Sequence, residues 1–73
     1  MKRYRNLSGK SGVIAYEDAP GRIVVVFRDG ERYTYTDETA GAGQIALMQA
    51  LARAGRGLST FIAREKPGFV QDP

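Results

Sequence analysis

Between residues 13 and 36 the apolar positions come in short blocks separated by turn residues. Val13-Ile14-Ala15-Tyr16 is followed by Asp18-Ala19-Pro20-Gly21, and Ile23-Val24-Val25-Val26-Phe27 by Asp29-Gly30 and then Tyr33-Thr34-Tyr35. β-Branched and aromatic residues favour the pleated, half-buried surface of a strand, while Pro and Gly supply the φ values that reversals need. The pattern predicts strands over about 13–17, 22–28 and 32–36. Connections this short leave no room for a crossover, so the strands form a three-stranded antiparallel meander.

The register follows from which side chains must share a face. A two-residue Asp29-Gly30 turn would place Val26 opposite Tyr33. A three-residue loop, Arg28-Asp29-Gly30 with a left-handed Gly30 bulge, pairs Val25 with Tyr33 instead. The second arrangement gathers Ile23, Val25, Phe27, Tyr33 and Tyr35 on one face, and a one-residue slip would disperse them. A four-residue first turn adds Tyr16 opposite Ile23 and Ile14 opposite Val25. The reverse face then carries Val13, Ala15, Val24, Val26 and Thr34, edged by Glu17, Arg22, Arg32 and Thr36.

After Thr36 the period changes to that of a helix. Ile45, Met48, Leu51 and Ala52 line one stripe of residues 42–54, and Gly55 supplies a left-handed stop. A second helix is predicted over about 60–66, with Ser59 as its N-cap and Leu58, Phe61 and Ile62 on its apolar side. Pro67-Gly68 ends it, and Phe69 and Val70 are placed to fold back as a cover. The fold class is α+β: a three-stranded antiparallel β-meander followed by two C-terminal helices packed on one face. Residues 1–12, without periodicity, read as a flexible basic segment, residues 13–70 as a single domain and residues 71–73 as a tail.

At 73 residues the chain buries only about 60% of its unfolded surface, so its core is small. It has no cysteine and no histidine, which removes disulfides, the usual zinc ligands and the commonest general base. Adjacent carboxylates at Glu17-Asp18 and Asp37-Glu38 sit at turns and do not converge, and Ala40-Gly41-Ala42-Gly43 lacks the lysine of a phosphate-binding loop. No cofactor or metal is expected, and no enzymatic activity. The N-terminal residues are basic and polar with no apolar run behind them, and apolar stretches are strand-sized, so the expectation is a cytoplasmic chain without membrane association. The formal charge of +3 is uneven: Lys2, Arg3, Arg5 and Lys10 stand without an acid in the first dozen residues, and Arg53, Arg56, Arg64 and Lys66 outnumber Glu65 and Asp72 in the last third.

The strand and helix motifs together resemble the KTSC domain, a short module named for its occurrence at the C-terminus of some lysyl-tRNA synthetases. The matching positions are Tyr16 ending the first strand, Ile23/Val25/Phe27, Gly30 in the turn, Tyr33 and Tyr35, Ala52 with Gly55, and Ile62 in the last helix. They span residues 13–69 in order. The chain departs from the family at 36–43, where a Val-Pro is common and Thr36-Asp37-Glu38-Thr39-Ala40-Gly41-Ala42-Gly43 stands instead. The resemblance implies the meander-plus-helices fold, with Tyr16, Phe27, Gly30, Tyr33, Tyr35, Gly55 and Ile62 as core or turn positions. Through the synthetase association it also implies RNA.

The reading is a non-enzymatic binding module that contacts RNA through Lys10, Arg53, Arg56, Arg64 and Lys66. The alternative is a protein-interaction or homodimerisation module using the Val24/Val26 sheet face, with Val13, Ala15, Arg32 and Thr34 around it. No small-molecule ligand is indicated.

Overall fold

The computed structural model describes residues 1–7, 9 and 11–71. In chain order its elements are β1 (Lys2–Arg3), β2 (Val13–Ala19), β3 (Arg22–Phe27), β4 (Arg32–Thr36), α1 (Asp37–Ala40), α2 (Ala42–Ala54), α3 (Leu58–Glu65) and β5 (Val70–Gln71). The strands form one antiparallel sheet in the order β1-β2-β3-β4-β5. The α+β class stands, but the meander gains a two-residue strand at each edge, and a one-turn helix precedes the two that the periodicity marks. Strands of two residues carry no readable alternation, which is why both edges escape the pattern.

The β3–β4 hairpin has the expected register. Gly30, at φ +88°, donates its N–H to the Phe27 carbonyl at 2.9 Å, and the Phe27 N–H donates to Glu31 at 2.8 Å. The Asp29 carboxylate accepts from the Glu31 N–H at 2.9 Å, which holds the loop from inside. Val25 therefore lies opposite Tyr33, and Ile23 opposite Tyr35.

The β2–β3 turn differs from expectation. Ala19 pairs with Arg22, so only Pro20-Gly21 remain in the loop, and Tyr16 lies opposite Val25 rather than Ile23. A slip of two residues keeps Tyr16 on the same face. The tighter turn is held by a helix: the Gln49 amide donates to the carbonyls of Ala19 and Arg22, both at 2.8 Å. Farther along, a β-bulge between Val13 and Ala15 reverses the alternation, setting Val13 opposite Phe27 and Ala15 opposite Val26. Val13 is thus in the core at 1% exposure, whereas Ile14, expected inside, is 45% exposed. The Ile14 carbonyl accepts from the Tyr4 N–H at 3.0 Å, so the bulge is tied to the N-terminal segment.

Core packing joins Tyr16, Ile23, Val25 and Tyr35 of the sheet to Ile45, Met48 and Ala52 of α2 and Leu58 of α3. Each fully buried aliphatic or Met side chain contributes about 1.5–3 kcal/mol. Tyr4 belongs to the same cluster at 3% exposure, so the first residues are a built part of the fold and not a flexible lead-in. Its hydroxyl accepts from the Leu58 N–H at 3.3 Å, satisfying one of the orphan donors at the start of α3. Ser59, predicted as the cap, lies inside α3, which begins earlier after a left-handed Gly57 without a side-chain cap. The Leu7 N–H donates to the Gly55 carbonyl at 2.7 Å, so the N-terminal segment also clasps the α2–α3 corner.

The 36–43 link is built by a capping box. The Thr36 hydroxyl accepts from the Thr39 N–H at 3.2 Å and the Thr39 hydroxyl from the Thr36 N–H at 3.0 Å, which starts α1. The returning C-terminal segment then crosses α1 so closely that a Cβ on Gly68 would strike the Thr39 carbonyl. Gly68→Ala should therefore lift β5 and Phe69 from the sheet, lowering stability by about 1–3 kcal/mol. Thermal unfolding checks the loss, and Phe69 ring contacts in an NMR spectrum check its location.

Candidate functional site

Two surfaces stand out. The first is the sheet face turned away from the helices. One row across it reads Arg3, Ala15, Val26, Arg32, and the next reads Glu17, Val24, Thr34, Val70. Arg22, beside Thr36, stands on a third row. Three strand spacings separate Arg3 from Arg32, about 14 Å. The arginines thus bracket a shallow apolar centre of Ala15 and Val26, both partly exposed, with Ile14 and Val70 exposed at opposite margins. Two of the residues expected here do not serve it. Val13 is in the core, and Val24 is 6% exposed although it is outside the core cluster under the helices, because its position mid-row between Glu17 and Thr34 already shelters it.

The basic residues read from the sequence do not form one patch with each other. Arg53 is committed to Asp18, its Nε at 2.9 Å and a terminal nitrogen at 2.7 Å from the carboxylate. Lys2 approaches the same carboxylate at 3.8 Å. Arg56 stands at the α2–α3 corner, whereas Arg64 and Lys66 lie at the far end of α3. A helix of that length rises about 12 Å, enough to separate them. Lys10 lies outside the described residues.

The second surface is a recess of about 470 Å³ on the helix side, between the β3–β4 turn and the segment after α3. Its walls are Phe27, Tyr33, Tyr35 and Phe69, with Ile62 and Pro67 beneath. The rings meet nearly at right angles: Phe27 and Tyr33 at 5.4 Å and 78°, Tyr33 and Phe69 at 4.7 Å and 75°, Tyr35 and Phe69 at 5.9 Å and 64°. Exposed Asp29, Glu31 and Lys66 stand at its mouth. Sequence reasoning places these aromatics inside and Phe69 as a cover, but misses the cavity. The only available signal is that Phe69 follows a helix-ending Pro67-Gly68 and so can return to the sheet.

Of the family-like positions, Tyr16 and Tyr35 are buried, and Phe27, Tyr33 and Ile62 are partly buried against the core. Gly55 closes α2 at φ +79°, where a Cβ would lie 2.8 Å from that of Arg5. Among the described residues there is no cluster of acidic side chains able to hold a metal, and no helix is long and apolar enough to cross a membrane. Comparison with family models, curated proteins and solved structures finds no match.

Two ionisations are displaced. Burial pushes the Asp18 carboxyl up, but the Arg53 hydrogen bond and the charges of Lys2 and Arg53 outweigh it, leaving the carboxyl below its ordinary 3.8. Its stabilisation is therefore complete above that value and drains away as the pH falls through the lowered one. Arg53 is mostly exposed, so the effect is modest: Asp18→Asn should lower Tm by about 2–5 °C at neutral pH and flatten its acid dependence. Burial, helped by the neighbouring Tyr33, pushes the Tyr35 phenol up from 10.0 to about 12. A raised acid is worth most while protonated, so this contribution is lost as the pH climbs from the unfolded value through the folded one. Tyrosinate absorbance should show a late phase that Tyr35→Phe removes.

Proposed function

We propose that this protein is a non-enzymatic binding module, with a cytoplasmic setting, that docks an acidic protein surface on the open face of its sheet. The observation that supports this reading is the placement of Arg3, Arg22 and Arg32 around Ala15 and Val26, against a single acid, Glu17, among the described residues of that face. An apolar centre with a charged rim is the anatomy of a protein interface, with the rim setting specificity. A second copy is a poor occupant, because a two-fold interface would oppose three arginines to three arginines. The face carries no aromatic side chain among its described residues, so it offers bases nothing to stack on. The KTSC resemblance supports a small appended binding domain, and through it RNA remains the rival partner.

An NMR titration with an acidic amphipathic peptide tests the proposal. Shifts should concentrate on the Arg3–Ala15–Val26–Arg32 row, and Arg3→Glu with Arg32→Glu should weaken binding by about tenfold or more. Saturable binding of a short RNA that falls steeply with salt and yields to Arg53→Ala with Arg56→Ala would overturn it in favour of nucleic acid. Dimers that persist in high salt and dissociate on Val26→Lys would overturn it in favour of self-association.

A further inference from the structure

We propose that the aromatic recess binds a small, uncharged aromatic molecule, its ring packed among Phe27, Tyr33 and Phe69. At about 470 Å³ the recess is of ligand size, and concave, mostly apolar walls are the usual form of a small-molecule site. Phe69 supplies much of the driving force: its ring meets those of Tyr33 and Tyr35, yet the residue is still 48% exposed. Partly exposed Phe27, Tyr33 and Ile62 border the same space. One occupant would therefore take apolar surface of four side chains out of water at once.

Two features select an uncharged aromatic ring over other ligands. The first is the packing of the walls, where Phe27, Tyr33 and Phe69 meet in succession at 78° and 75° in an edge-to-face series. An aromatic ring has a negative face and a positive edge, so it can continue such a series whichever part of a wall ring it meets. Against an edge it offers its face, and against a face its edge. A cation needs faces and an anion needs edges, whereas a saturated ring gains only its burial. The second feature is the placement of charge. The Phe, Tyr, Ile and Pro walls hold none, while Asp29, Glu31 and Lys66 are exposed at the mouth and bring both signs. A charged ligand would leave water for walls that cannot pair it, a cost that an uncharged one avoids. The occupant is a free molecule rather than a side chain on an extended peptide, because β5 already pairs with the edge of β4 beside the recess.

Benzyl alcohol is the probe, with cyclohexylmethanol, which differs in having a saturated ring, and benzoate as controls. In NMR titrations of the full chain, benzyl alcohol should give saturable shifts centred on Phe27, Tyr33 and Phe69, with nuclear Overhauser contacts from its ring to theirs. Cyclohexylmethanol should bind about three- to tenfold more weakly, the worth of an edge-to-face contact beyond burial. Benzoate should bind at least about tenfold more weakly. Phe69→Leu keeps an apolar side chain at the recess and should narrow the preference for benzyl alcohol over cyclohexylmethanol to about twofold or less. Equal affinity for the saturated analogue, tighter binding of benzoate, or no saturable shift up to about 100 mM would overturn the proposal. A phenylalanine-bearing pentapeptide that displaces β5 from β4 would overturn it in favour of a peptide. The recess is on the opposite side of the sheet from the arginine row, so this proposal and the docking proposal fail independently.

Discussion

The geometry of this molecule hangs on the hydrogen-bonded loop in which Gly30 donates to Phe27 and Phe27 to Glu31. With a left-handed glycine the loop takes three residues, and every side chain of β4 is assigned a face. Tyr33 and Tyr35 go to the helix side, where one closes the core and the other walls the recess, while Arg32 and Thr34 go to the open face. Shortening the loop by one residue would exchange the two sets. A turn of three residues thus determines which surface is aromatic and which is cationic.

Small size makes the chain ends structural. Without disulfides, stability has to come from enlarging a core that three strands and two helices alone would leave thin. The N-terminal segment supplies Tyr4, whose ring enters the core and whose hydroxyl meets the start of α3. The C-terminal segment supplies Phe69 against Tyr33 and Tyr35, and β5 along β4. Both ends add a short edge strand, which also leaves little regular edge for another chain to extend.

Legibility in the sequence tracked the length of each signal. Helix α2, with 13 residues in period, has the bounds expected, and the β3–β4 register follows from five bulky residues that must lie together. What escaped depends on single long-range contacts. The bulge that puts Val13 inside and Ile14 outside is linked to Tyr4, the tight Pro20-Gly21 turn to Gln49, and the start of α3 to a tyrosine hydroxyl rather than to Ser59. The arginine row was hidden for a related reason. Arg3, Arg22 and Arg32 are far apart in sequence and share a face only once the sheet is assembled, whereas Arg53 is committed to its salt bridge with Asp18.

The two-residue pairing of β5 has a mechanical consequence. A load drawn outward on the chain beyond Gln71 would meet first the short ladder that joins Val70 and Gln71 to Thr34 and Tyr33. Peeled from one end, such a ladder yields one bond at a time, long before the central strands bear strain. The next residue inward is Phe69, so the first increment of extension would unroof the aromatic recess and leave the rest of the fold standing. Tension on this end is thereby coupled to the shape of a cavity, with β5 as the weakest link in the path.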